Sequence, residues 1–101
     1  MKESQIIKKV ARQLFPNCQV ILFGSRARKD FLPDSDFDVL IVIDTILSPE
    51  EKIPFRTQIR KELIKYNIIS DVLIQSKIEI EEKKKLTGHI VKTIMNEGMV
   101  L

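Results

Sequence analysis

Asp36 and Asp38 stand two residues apart at the head of an apolar run, Val39-Leu40-Ile41-Val42-Ile43. On a strand alternate residues share a face, so the two carboxylates point the same way, about 7 Å apart at the backbone. Their side chains can converge on one point. Left alone they repel, and one takes up a proton. A divalent cation such as Mg²⁺, which takes oxygen ligands, removes the conflict. The plain alternative is a solvated strand entrance with two incidental acids, since perturbed acids are often only structural. Asp71 is a third acid, in the run SDVLIQ. If its strand neighbours that of Asp38, three carboxylates meet at one edge, which is costly unless metals sit among them. An ordinary Ser-Asp turn before a strand explains Asp71 equally simply.

Gly24-Ser25 follows the apolar run Val20-Ile21-Leu22-Phe23. Glycine lets a backbone approach a ligand closely. A short helix after it would offer free N–H groups and a positive dipole end to an anion. Arg26, Arg28 and Lys29 add positive charge nearby. A strand-to-helix turn with a solvated basic face accounts for the same residues. The segment is not a Walker A loop, because GSRARK lacks the second glycine and the Gly-Lys-Ser/Thr ending. Each feature is weak alone. Side by side, an anion-binding backbone and paired carboxylates are what a metal-dependent transfer at a nucleotide phosphate requires.

The elements that must position these residues are legible by period. Ser4 to Phe15 reads as a helix on Ile7, Val10, Ala11 and Leu14, stopped by Pro16-Asn17. Gln19 to Phe23 reads as a short buried strand. Ser25 can cap a short helix over Arg26 to Lys29, and Asp30 to Ser35 is a loop turning at Pro33-Asp34. Asp36 to Ile43 is a second strand, apolar on both faces after Asp38 and therefore central and covered. Ser48-Pro49-Glu50-Glu51 looks like a helix start. Pro54 complicates it, because an interior proline costs a helix about 3 kcal/mol. The regular helix can instead begin near Pro54 and run to about Tyr66, with Phe55, Ile59 and Leu63 inside and Asn67 ending it. Ile69 to Gln75 is a third strand. Lys77 to Lys85 reads as a short exposed helix, its charges a solvated face. His89 to Glu97 is a last helix, with Gly98 as C-cap. The order α-β-α-β-α-β-α implies an α+β (two-layer α/β) domain with a small mixed sheet.

Length and composition bound the rest. At 101 residues the chain is expected to form a single domain spanning 1–101,. Hydrophobic content of 44% and charged content of 31% fit a globular chain rather than a disordered one,. A net charge of +3 permits contact with phosphates but is too mild to argue for nucleic acid,. Cys18 is the only cysteine, so no internal disulfide is possible, which suits a reducing cytosol,. No apolar run approaches the roughly 20 residues that cross a bilayer. The N-terminal MKESQIIKKV carries charges where a signal peptide has its apolar core,. A cytoplasmic protein with no membrane contact is the expectation.

These residues carry a recognisable pattern. Gly-Ser after a strand, ten residues, then Asp-x-Asp within a strand resembles the nucleotidyltransferase superfamily that includes DNA polymerase β. The fuller string GSRARKDFLPDSDFDVLIV is similar to the minimal nucleotidyltransferases, short prokaryotic proteins. The resemblance continues through Asp71, at the superfamily's third carboxylate, to the ending NEGMVL. It implies the nucleotidyltransferase fold, with helices packed on one face of the sheet. It implies that Asp36 and Asp38 hold two Mg²⁺ ions, that Asp71 ligates the catalytic one, and that Gly24 and Ser25 hold the phosphates of ATP or another NTP, with Arg26 and, secondarily, Arg28 assisting. Members commonly carry Gly where this chain has Lys29. Either that loop is conformed differently, or Lys29 reaches the phosphates.

The resemblance also implies a partner. Minimal nucleotidyltransferases are often paired with a small helical HEPN-domain RNase toxin, and in some the nucleotidyltransferase is an antitoxin that transfers AMP to a tyrosine of the toxin. Two other readings stand beside that one: a catalytically weak antitoxin acting by binding alone, and a nucleotidyltransferase subunit modifying a small molecule. Direct nucleic-acid binding is not expected, and polymerase activity is disfavoured because no thumb or template-binding region is visible. Of the remaining residues, His89 reads as a surface or cap residue, Cys18 as a half-buried hydrophobe and Tyr66 as packing. Phe31 and Leu32 could meet a base, the partner or the core.

Overall fold

The computed structural model describes residues 2–30 and 32–101. Phe31 lies outside the described residues. Four strands form one mixed sheet in the order β3-β2-β1-β4. They are β1 (Gln19–Phe23), β2 (Phe37–Ile43), β3 (Ser70–Ser76) and β4 (Met99–Val100), with five helices: α1 (Lys2–Leu14), α2 (Gly24–Arg28), α3 (Pro49–Ile64), α4 (Lys77–Lys83) and α5 (Ile90–Glu97). β1 runs antiparallel to both β2 and β4, while β2 and β3 are parallel. A parallel pair needs a long crossover, and α3 supplies it. Among the described residues, no helix is long and apolar enough to cross a membrane.

The alternation of β2 divides the core in two. Phe37, Val39, Ile41 and Ile43 join Val20, Leu22, Val72 and Ile74 on one face, under α1 and α3. Leu40 and Val42 join Ile21 on the other, where Ile80 of α4 and Val91 and Ile94 of α5 cover them. The helices therefore do not all gather on one face. The longer pair covers one side and the shorter pair the other, because a strand apolar on both sides leaves neither to water. The α+β class and the small mixed sheet are as expected.

Several boundaries differ from the sequence reading: α1 begins at Lys2 rather than Ser4, β2 begins at Phe37 and so leaves Asp36 just outside the strand, and α4 ends at Lys83 rather than Lys85. The larger differences are in α3 and at the C-terminal end. α3 begins at Pro49 and passes through Pro54. Its first turn is secured by a capping box, in which Ser48 Oγ accepts from the Glu51 amide at 3.1 Å and Glu51 Oε1 accepts from the Ser48 amide at 2.9 Å. That anchorage offsets the single hydrogen bond Pro54 cannot donate. The helix ends at Ile64, and the chain leaves it through Asn67 at φ 61°. Tyr66 is exposed there rather than packed. The last strand, β4, pairs Met99 with Leu22 and Val100 with Ile21, and Leu101 donates to the Val20 carbonyl at 2.9 Å. Gly98 caps α5 through a 2.7 Å bond to Ile94, but in extended backbone at φ −71°. Its missing side chain matters for space: a β-carbon would come within 2.5 Å of Ile21 Cγ2 and of the Ile94 carbonyl. His89 is the N-cap of α5, its Nδ1 accepting from the Val91 amide at 3.1 Å. Cys18 is fully buried.

Candidate active site

β2 lies between β1 and β3, and its second residue is Asp38. Register places Asp38 opposite Phe23 of β1 on one side and opposite Asp71 of β3 on the other. Strands run about 4.8 Å apart, and residues in register on parallel neighbours share a face. Asp71 thus stands beside Asp38 at one sheet edge. Asp36 precedes the strand, one residue outside it, and is exposed. Burial raises the Asp38 pKa above the usual carboxylate value, and the charges of Asp71 and then Asp36 raise it further, against an opposing pull from Arg28. Asp38 therefore feels the charges of both other acids.

Gly24 sits against this group. It has φ +71°, and a β-carbon built on it would strike the Asp38 carboxylate, lying 3.1 Å from Cγ and 3.3 Å from Cβ. Only glycine leaves the carboxyl where it is. Ser25 does not cap α2. Phe23 occupies the N-cap position without a side-chain bond, and Ser25 lies within the helix, its carbonyl accepting from the Asp30 amide at 3.2 Å. The reason is that the helix starts two residues early, directly out of β1 at the left-handed glycine.

The arginines behave differently from each other. Arg26 turns back onto the α2–β2 loop. Its Nη2 donates to the carbonyls of Ser35 at 2.8 Å and Pro33 at 3.2 Å, its Nε donates to Ser35 at 3.2 Å, and its guanidinium carbon lies 4.2 Å from the centre of the Phe37 ring. In this arrangement it braces the loop that delivers Asp36. Ser35 closes the same loop, its Oγ accepting from the Leu32 amide at 2.9 Å. Leu32 itself is exposed and away from the core. Arg28 pairs with Asp30 at 3.2 Å and stays largely exposed. Lys29 ends α2 at φ 64°, ψ 24°. The left-handed turn is thus kept with a lysine in it, which explains why glycine suits the position.

The donor set is three carboxylates, which suits a hard divalent ion such as Mg²⁺. Mutual repulsion at Asp38 is the conflict that a cation relieves. Asp38 and Asp71 are the adjacent pair, with Asp36 within electrostatic reach. Among the described residues, no three His, Cys, Asp or Glu side chains are gathered closely enough to enclose one ion unaided. Sequence reasoning passed over one feature beside the acids: a cleft of about 240 Å³ between α2 and α5, lined in part by Gly24, Arg28, Thr93 and Glu97. Nothing in the local pattern of α5 points to it, because it exists only where the two helices meet.

A glycine thus packs on one of two in-register aspartates at the mouth of a small mixed sheet. The nucleotidyltransferase domain family matches residues 4–101, and the chain belongs to it. Two curated relatives come from Methanocaldococcus jannaschii. "Putative protein adenylyltransferase MJ0604" is 34% identical over 83 residues, 82% of this chain and 76% of that protein. "Putative protein adenylyltransferase MJ0141" is 35% identical over 81 residues, 80% of this chain and 75% of that protein. Among solved structures, a chain from a toxin–antitoxin crystal structure with AMP-PNP matches with a TM-score of 0.65 at 18% identity, over 99% of this chain and 72% of that one. At that identity the likeness concerns the fold. The crystal structure of a "putative nucleotidyltransferase from Sulfolobus solfataricus" matches with a TM-score of 0.56 at 28% identity, over 98% of this chain and 76% of that one.

Proposed function

We propose that this nucleotidyltransferase moves AMP from ATP to a hydroxyl of a partner protein, and that it serves as the antitoxin of a HEPN RNase toxin. The observation that carries the reading is the pairing of Asp38 with Asp71 beside Gly24. The relatives named as protein adenylyltransferases support the AMP and protein halves. The fold neighbour crystallised as a toxin–antitoxin with AMP-PNP supports the pairing with a toxin. The HEPN identity of the toxin follows from the sequence resemblance alone.

Asp36, Asp38 and Asp71 would hold Mg²⁺, and bound Mg²⁺ supplies charge neutralisation for the entering and leaving oxygens of an in-line displacement. The chain's own residues do the rest. Gly24 leaves room for the Asp38 carboxyl beside the backbone that meets the phosphates, with Ser25 next to it and Arg28 contributing positive charge. Arg26 holds the 33–35 loop and so positions Asp36. Asp71, exposed at the sheet edge, is open to an incoming hydroxyl and takes its proton. The hydroxyl oxygen bonds to the α-phosphorus as the bond to the bridging oxygen breaks, and pyrophosphate leaves. The acceptor comes from another molecule.

The test is incubation with ATP labelled at the α-phosphate, Mg²⁺ and the protein encoded by the neighbouring gene. Label should pass to that protein, and Asp38→Asn should abolish transfer. Transfer that survives Asp38→Asn would overturn the assignment of the acids. Neutralisation of a toxin by an Asp36→Asn, Asp38→Asn variant would replace catalysis with simple binding.

A further inference from the structure

The cleft between α2 and α5 carries, opposite Gly24 and Arg28, residues that the transfer reaction described above leaves unused. One wall carries Gly24 and Arg28; the other carries Thr93 and Glu97; Phe23 and Ile90 add apolar surface. Thr93 and Glu97 are four residues apart on α5, so they present a hydroxyl and a carboxylate on one face. Gly24 is also the residue packed on Asp38, so the cleft opens directly beside the acids. At about 240 Å³ it is smaller than the roughly 300–1,000 Å³ of a pocket that takes a whole small-molecule ligand,. It has room for one part of a nucleotide. The group bonded next to the α-phosphate is the sugar.

Glu97 stands in a place its own helix disfavours. It is the last residue of α5, where the partial negative charge of the helix end opposes an anion, and the last turn holds no basic residue,. Among the described residues it has no ion-pair partner. Residues that break a local preference without a structural gain are those expected at functional sites. A carboxylate offers only acceptors, and a threonine hydroxyl both donates and accepts. A vicinal diol supplies two donors to such a pair, and an acidic residue reading a ribose hydroxyl is an established recognition mode in dinucleotide-binding folds.

We propose that the α2–α5 cleft takes the ribose of the bound nucleotide, and that Glu97 and Thr93 select ribonucleotides over deoxyribonucleotides through the 2′- and 3′-hydroxyls. The proposal rests on the reading of the chain as an NTP-using transferase. Loss of the 2′-hydroxyl removes a charge-assisted hydrogen bond to Glu97, enough for about tenfold in affinity.

Binding, rather than turnover, tests it. AMP-PNP and its 2′-deoxy counterpart are titrated calorimetrically with Mg²⁺ into the wild type, Glu97→Ala, and Glu97→Ala with Thr93→Val. Both positions are exposed, and a thermal melt confirms each variant is folded. The wild type should bind the ribonucleotide at least tenfold more tightly. Glu97→Ala should narrow that ratio to within about threefold by weakening the ribonucleotide and leaving the deoxynucleotide unchanged. Equal binding of the two sugars by the wild type, or a ratio that survives in the double variant, overturns the ribose assignment alone. Failure of the wild type to bind either nucleotide overturns this assignment and the transferase reading together.

Discussion

Gly24 and Asp38 are in direct contact, the glycine's Cα facing the aspartate's carboxyl group across the end of β1. The contact fixes two things at once. It sets where the carboxylate sits, and it requires a left-handed residue at the start of α2. Gly24→Ala therefore fails on both counts. An L-residue at φ +71° costs roughly 1–2 kcal/mol,. The new methyl also displaces the carboxyl by an ångström or so, and misplacement on that scale costs about 100-fold in rate. Transfer from labelled ATP should fall by about that factor, with a melting temperature several degrees lower. Wild-type turnover in this variant would detach Gly24 from the site.

Asp38 sets function against stability. Its pKa is raised in the fold by burial and by Asp71 and Asp36. A raised folded pKa gives stability that is complete below the unfolded value of about 3.9 and lost as pH climbs through the folded one. At neutral pH the ionised carboxyl is thus a liability to the metal-free fold. Asp38→Asn should stabilise the metal-free protein at pH 7 by about 0.5–2 kcal/mol, the usual range for removing one such liability. The gain should vanish near pH 3, where the wild type is protonated. Mg²⁺ should raise the melting temperature of the wild type and leave that of Asp38→Asn unmoved. Destabilisation by Asp38→Asn at pH 7 would mean that the neighbouring acids do not crowd it.

Lys29 bears a left-handed backbone that glycine adopts freely. Lys29→Gly should stabilise the protein by about 0.5–1 kcal/mol, and about 1 kcal/mol is 4–8 °C in a domain of this size. Lys29→Ala keeps the strained φ and should gain nothing. The pair separates backbone from charge. If both variants lose transfer activity equally, the ammonium group serves the phosphates; if neither does, the position is purely conformational.

How far the sequence disclosed this site depends on what each residue needed. The Asp-x-Asp spacing was visible because strand alternation is local. Asp71 was visible as an acid, but its place beside Asp38 depends on which strands are neighbours, and only the parallel pairing of β2 with β3 provides that. β4 escaped notice because two residues carry no period; Met99 and Val100 form a strand only by pairing with β1. The start of α3 was masked by Pro54, whose penalty is local, while the capping box that outweighs it lies five residues earlier. Lys29 looked anomalous because its φ angle is not written in its side chain. The run Glu79 to Lys85 was read as a solvated face, although Ser76-x-x-Glu79 has the spacing of a second capping box and Ile80 is buried.

That misreading concealed an ion pair with a measurable consequence. Lys52 of α3 donates to Glu79 Oε2 at 2.8 Å, and the two side chains are only 9% and 20% exposed. The pair ties the first turns of α3 and α4 together around β3. Glu79 also accepts from the Ser76 amide at 2.8 Å, and Lys83 approaches it at 3.7 Å. Burial alone would raise the Glu79 pKa, but the Lys52 ammonium and the Ser76 amide outweigh it, and the net shift is downward. A lowered folded pKa gives stability that is present above the unfolded value of about 4.3 and lost as pH falls through the folded one. Lys52→Met leaves the carboxylate half-buried with only its cap and Lys83. Breaking a fully buried pair costs about 3–5 kcal/mol, so about 2–3 kcal/mol is expected for this partly screened one. Lys52→Met with Glu79→Gln should recover most of the loss, since no uncompensated charge remains. Urea melts from pH 3 to pH 7 decide it: the wild type should weaken on acidification below about pH 4.5, and the double variant should show a flatter profile. A single Lys52→Met variant as stable as the wild type would reduce the pair to a surface contact.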